Sequence, residues 1–262
     1  MRDILQFART SGLDMLDTAR AYGDSEALLG EARAPKHFKI VSKCPPLEGA
    51  DSPGIQLVQY FEASLAHLRT DRIYGYLLHR AYDLLGENGS EIWQSLCDLQ
   101  SRNKVSRIGV SAYAPQEVLE LLRRFPLSMV QLPANVLTNW LYEGSFLRIC
   151  RNAGVEIHVR SAFLQGFLLA DPAEIVGHLS QWAPTLTRFR ECAFDLGLSP
   201  LQAALSALLA HQDISKIVVG VESKSQLEEI VAAVGGEPID PQNFKNLACK
   251  NPGIMDPRTW PC

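Results

Sequence analysis

A chain of 262 residues with 47% hydrophobic and 21% charged side chains can bury a large core, and its length is close to the roughly 250 residues of a (β/α)8 barrel. A formal net charge of −4 gives no reason to expect nucleic acid or an anionic membrane as partner, and no run nears the ~18 apolar residues of a spanning helix. The six cysteines lie far apart without C-x-x-C or Cys/His spacing, so the sequence predicts reduced thiols in a cytoplasmic protein and no metal site.

The opening MRDILQFARTSG mixes charges into apolar positions and lacks the basic-then-apolar order of a signal peptide, so it predicts an amphipathic helix. Short apolar or β-branched runs then predict strands at 13–16, 38–42, 73–78, 105–110, 127–130, 155–159 and 216–219. Helical periodicity fills the intervals at 25–32, 53–68, 90–101, 115–124, 146–153 and 223–233. Ser199 followed by Pro200 reads as an N-cap with proline at the first helical position, opening a helix over 201–211. From about Gly235 the chain is rich in proline and is expected to be an irregular tail.

This alternation predicts a parallel sheet with covering helices. The doubly wound alternative usually carries a glycine-rich first turn, and no G-x-G-x-x-G is present. The expected fold is therefore one (β/α)8 TIM barrel over 1–262. Seven strands are visible and the chain opens on a helix, so the first β-strand of a closed barrel is expected to be missing.

Each apolar run ends on a polar or small residue: Asp17, Lys43, His79, Ser111, Gln131, Arg160 and Gly220. In a parallel barrel these positions share the C-terminal rim, where the active sites of such folds sit. Singly, each has a bland reading: Asp17 as a turn residue, Lys43 as a surface charge, His79 as a core imidazole, Ser111 as a helix cap. Together, a carboxylate, an ammonium and an imidazole on three consecutive strand ends define a chemistry. Asp17 pairs with Lys43 and keeps it charged, while Tyr22, five residues on, reaches the same point. A nearby ammonium makes a phenol a better proton donor, so the set suits delivery of a proton to a carbonyl while hydride arrives from elsewhere.

These residues also carry a resemblance. Asp17-Thr-Ala-Arg-Ala-Tyr22-Gly-Asp-Ser-Glu26 followed by Leu29-Gly30 resembles the aldo-keto reductase signature. So do Val41-Ser-Lys43, Leu77-Leu-His79, Ile108-Gly-Val-Ser111, Val130-Gln131, Arg160-Ser-Ala-Phe-Leu-Gln165-Gly166, Val219-Gly220 and the tail Asp256-Pro-Arg-Thr-Trp260. The resemblance implies an NAD(P)H-dependent reductase of a small aldehyde or ketone, sugar-derived in some relatives, with Asp17, Tyr22, Lys43 and His79 catalytic and Tyr22 as general acid. It implies that Ser111 and Gln131 hold the nicotinamide carboxamide and that Arg160 stacks on the ring. Ser161, Phe163, Leu164, Gln165 and Gly166 would take the pyrophosphate side, and Gly220, Val221, Glu222, Ser223 and Gln226 the adenosine end.

NADP is the cofactor that the family implies first, with NAD second. The chain departs from the pattern at Ala112, where an asparagine is frequent, and at Gln226 and Ile230, where many relatives carry an arginine and an asparagine. Glu222 would repel a 2′-phosphate, and Lys224 would offset it. These departures motivate a competing reading, a redox-silent barrel serving as a binding or regulatory module. A cofactor-independent sugar isomerase or lyase on the same fold is a third.

Overall fold

The computed structural model describes residues 1–47, 49, 51–236, 239–249 and 260 as two compact units, one of residues 1–132 with 150–157 and one of residues 133–149 with 158–262. The tail residues Asp256 to Thr259, part of the resemblance above, lie outside the described residues.

The first unit begins with α1 (Arg2–Thr10) and β1 (Met15–Asp17), then α2 (Ser25–Glu31), β2 (Lys39–Cys44), α3 (Pro53–Leu68) and β3 (Ile73–Leu78). A short α4 (Tyr82–Leu85) precedes α5 (Gly89–Ser101), β4 (Val105–Ser111), α6 (Pro115–Leu122) and β5 (Met129–Pro133). The strands pair in parallel and in chain order, β1 to β5, with Val41 opposite Gly75, Leu77 opposite Gly109 and Ser111 opposite Gln131. The longer helices α3 and α5 each bury one stripe. In α3 it is Leu57, Phe61, Leu65 and Leu68, at the three- and four-residue spacing of one helical face. Arg69, with φ of 52°, ends α3 in the left-handed region.

Asp17 and Gln131 sit four strands apart in this sheet, yet Gln131 Nε2 donates to Asp17 Oδ2 at 2.8 Å. Four inter-strand steps of about 4.8 Å would part them by about 19 Å in a flat sheet, beyond the reach of both side chains. The first unit's sheet is therefore strongly curled. Its concave face is filled by Val41, Leu77 and Met129, with Met15 and Tyr74 against them. Gly75 makes room there, since a Cβ would lie 3.0 Å from Met129 Sδ and 3.1 Å from Val41 Cγ2.

The second unit takes part of α7 (Phe146–Asn152) and of β6 (Glu156–Arg160), then α8 (Ala183–Asp195), α9 (Pro200–Leu209), β7 (Lys216–Ile217) and α10 (Lys224–Val234). β6 pairs in parallel with β7, His158 opposite Lys216. Ser199 opens α9 as expected: its Oγ accepts from Gln202 N and its own N–H donates to Gln202 Oε1. The pattern of apolar residues does not mark α8, because three 3₁₀ turns and two arginines surround a modest apolar face of Leu186, Phe189 and Ala193. The expected irregular tail contains a 3₁₀ turn (Pro241–Leu247) that buries Phe244 and Leu247 in this unit's core with Phe189, Phe167 and Leu168. The expected strand at 216–219 stops at Ile217. Among the described residues no single helix is long and apolar enough to cross a membrane.

Two tests follow from the packing. A Cβ on Gly109 would lie 1.7 Å from the Met129 carbonyl oxygen, whereas one on Gly236 meets nothing within 4 Å. Gly109→Ala is expected to cost about 2–3 kcal/mol and Gly236→Ala less than about 0.5 kcal/mol, measured by denaturant melts. Burial pushes the Cys44 thiol from 9.0 up to about 12 and that of Cys150 up to about 11. Unfolded thiols ionise from about pH 9 while the folded ones stay neutral, so stability is full below pH 9 and is lost as pH rises towards 12. Melts at pH 8 and pH 10.5 should differ in that direction, and Cys44→Ala should flatten the difference.

Candidate active site

Four side chains from three strand ends and one loop meet in the first unit. Asp17 closes β1, Lys43 lies one residue from the end of β2, and His79 follows β3 directly. Lys43 is fully buried and its ammonium donates to Asp17 Oδ1 and, at 3.0 Å, to the Thr18 carbonyl. A charge so placed is tolerable because it is paired and hydrogen-bonded at once. Tyr22 lies on the turn after β1, where Gly23, with φ of 54°, and the bond from Tyr22 N to Ala19 O turn the chain. Its ring stands 5.2 Å from the Lys43 ammonium and meets His79 edge-on at 5.8 Å. The phenol is 49% exposed, so a ligand can reach it.

Ser111 and Gln131 end up opposite one another on β4 and β5, both buried. Gln131 joins the cluster through Asp17, a contact that strand-end reasoning did not anticipate because β1 and β5 are far apart in sequence and sheet order.

A second layer lies behind the cluster. Glu26, within the quoted signature but given no role from sequence, is 1% exposed and accepts from Ser42 Oγ at 2.6 Å. Arg20 and His67 approach its other oxygen at 3.7 and 3.8 Å. Thr18 and Ser25 share a hydroxyl bond of 2.8 Å. These contacts tie α2 and the Tyr22 turn to β1 and β2. Cys44, beside Lys43, is held neutral by burial and is no nucleophile.

The remaining expected residues fall in the second unit. A cleft of about 450 Å3 is lined by Ser161, Phe163, Gln165, Gly166, Gly220 and Gln226, together with Leu169, Leu201, Val218, Glu229 and Ile230. Arg160, Leu164, Val221, Glu222 and Ser223 are not among its lining residues, and Leu164 is buried in the core. The loop at one side is backbone-strained: Ser161, Leu164, Gln165 and Gly166 all have positive φ, between 50° and 89°. Leu164 N and Gly166 N close this turn on the Ser161 and Phe163 carbonyls at 3.0 and 2.9 Å, and strain of this kind concentrates at ligand sites. At the other side Ser223 caps α10, and Gln226 turns its side chain back to accept from Glu222 N at 2.8 Å. Lys224 is paired with Glu228 at 2.9 Å. Among the described lining residues, Glu229 is the one charged side chain. Tyr142 donates its hydroxyl to the Val136 carbonyl at 3.0 Å. No group of three His, Cys, Asp or Glu residues capable of holding a metal occurs among the described residues.

Comparison with known proteins bears on the family and the fold. The model of the aldo/keto reductase family matches residues 1–251, and the chain belongs to that family. It is 24% identical to the NADH-specific methylglyoxal reductase of Escherichia coli over 88% of this chain and 82% of that protein. It is 23% identical to the oxidoreductase sirO of Leptosphaeria maculans over 91% and 82%. The aldo-keto reductase AKR11C1 of Bacillus halodurans in its holo form superposes with a TM-score of 0.79 at 20% identity, covering 99% of this chain and 90% of that one. The fold is that of the aldo-keto reductases, and the membership supports an oxidoreductase.

The buried pair makes a direct test. Lys43→Met is expected to destabilise the protein by about 3 kcal/mol or more, because Asp17 keeps its charge without its counter-ion. Asp17→Asn with Lys43→Met should recover part of that loss, as read from a double-mutant cycle of denaturant melts.

Proposed function

We propose that the protein reduces an aldehyde or ketone by hydride transfer from a nicotinamide dinucleotide, with Tyr22 as the proton donor. The observation that carries this reading is the Tyr22 ring set over the buried Lys43 ammonium, with Asp17 behind it and His79 edge-on. We read residues 1–262 as one (β/α)8 domain in which the seven described strands are seven of eight.

When bound, a reduced nicotinamide would supply the hydride to the carbonyl carbon. As negative charge develops on the carbonyl oxygen, Tyr22 gives it the phenolic proton, and the alcohol forms without a free alkoxide. The Lys43 ammonium stabilises the phenolate left behind. Asp17 keeps Lys43 protonated and fixed, and His79 orients the carbonyl oxygen beside the phenol. Tyr22 recovers its proton from solvent, which its exposure permits.

The second-unit cleft, lined by Ser161, Gln165, Gly166, Gly220 and Gln226, is assigned the phosphate and adenosine portions of such a cofactor. Its charge favours NADH over NADPH. Glu229 lines the cleft, Gln226 is engaged with Glu222 N, and Lys224 is taken up by Glu228. A 2′-phosphate there would meet the Glu229 carboxylate, with no cation among the described lining residues. The related E. coli protein is named as NADH-specific and as acting on methylglyoxal, which makes small oxo-aldehydes the first substrates to try.

Tyr22→Phe is expected to lower kcat by about 10²–10⁴-fold with unchanged dinucleotide affinity, and undiminished turnover would remove Tyr22 as the donor. Fluorescence titration should find NADH tighter than NADPH by about tenfold, the ratio that roughly 1.4 kcal/mol of repulsion gives. Tighter NADPH would show that the acidic cleft does not set the preference.

A further inference from the structure

The resemblance assigns Gln131 to the cofactor's carboxamide alone, but its side chain is already engaged inside the protein. Gln131 is 1% exposed on β5, and its Nε2 donates to Asp17 Oδ2 at 2.8 Å. The other Asp17 oxygen receives Lys43. A carboxylate only accepts, so the amide must present its nitrogen to Asp17, and the orientation of Gln131 is fixed by chemistry.

We propose that Gln131 is a positioning residue of the catalytic cluster: it holds the Asp17 carboxylate from the side opposite Lys43 and so fixes the ammonium beneath Tyr22. The role rests on the reading of Asp17, Lys43 and Tyr22 as reductase residues.

The physical case concerns one soft torsion. The last torsion of an aspartate side chain is broad, and a carboxylate held at one oxygen swings readily. With Lys43 on Oδ1 and Gln131 on Oδ2, the plane of Asp17 is pinned by β2 and β5 at once. Lys43 is in turn limited to a position from which it also reaches the Thr18 carbonyl at 3.0 Å. Without the amide, Asp17 is free to turn both oxygens onto Lys43. The ammonium is then drawn toward the carboxylate, and more of its charge is spent there and less on Tyr22. Gln131 also takes up part of the carboxylate's charge, which otherwise opposes the ammonium at the phenol. Among the described contacts, the charged and titratable groups around the phenol from the neighbouring strands are Asp17 on β1, Lys43 on β2 and His79 after β3.

The test separates this role from cofactor holding. Gln131→Met keeps the length of the side chain and removes the donor; Gln131→Asn keeps the amide but falls short of Asp17, and serves if the first variant does not fold. In the cofactor-free protein, the ionisation of Tyr22 is read by ultraviolet difference spectroscopy as the signal lost in Tyr22→Phe. Either Gln131 variant should move that ionisation up by roughly half a pH unit or more. The pH profile of kcat should move the same way, with kcat lowered by about tenfold near neutral pH. An unmoved Tyr22 ionisation overturns the proposal, whether or not dinucleotide affinity falls. The phenol titration needs neither turnover nor cofactor. A wild-type protein that reduces no carbonyl would therefore refute the reductase reading while still deciding whether Gln131 sets the cluster.

Discussion

Two hydrogen-bonding partners reach one carboxylate from different parts of a sheet, and their meeting depends on the curl that shapes the first unit. Asp17 accepts from Lys43, one strand away, and from Gln131, four strands away. The second contact is possible only in a curled sheet. Curling also crowds Val41, Leu77 and Met129 onto the concave face and makes Gly75 necessary opposite Met129. Local sequence sets the strands, the packing of small and large residues bends them, and the bend assembles a polar cluster from positions 114 residues apart.

The cluster illustrates why a buried charge can be functional where it would otherwise be a liability. A buried ammonium is costly unless it is paired and its hydrogen bonds are satisfied. Lys43 meets both conditions, and the partners that satisfy it also aim it at Tyr22. Glu26 lies one layer outward and joins α2 to Ser42 on β2 beside Lys43. The Thr18–Ser25 and Ser42–Glu26 bonds hold the turn that carries the phenol.

Much of this was legible in the sequence for reasons that can be stated. β3 and α3 were read at their observed bounds, because β-branched and aromatic runs and a four-residue apolar stripe are local signals. Asp17, Lys43 and His79 were found because strand ends in a parallel sheet share one rim, so each position could be read from its own run. The Gln131–Asp17 bond was not legible, since it depends on curvature, which no single strand encodes. Glu229 was missed among the cleft's lining residues, lying on an amphipathic helix where a glutamate looks like solvated surface. Leu164, expected to face a cofactor, went to the core because its positive φ turns the loop there, and backbone sign is poorly marked in residues other than glycine. Helix α8 was missed because its apolar face is interrupted by arginines.

The most direct test of the reductase account is an isotope-transfer experiment. The wild-type protein is incubated with NADH carrying deuterium on the transferable C4 position and with methylglyoxal, and the product alcohol is examined by mass spectrometry. The account predicts one deuterium on the new carbinol carbon, formed at a rate that collapses in Tyr22→Phe. A folded protein that binds the dinucleotide yet transfers no deuterium to methylglyoxal, or to a panel of other small aldehydes and ketones, would contradict it.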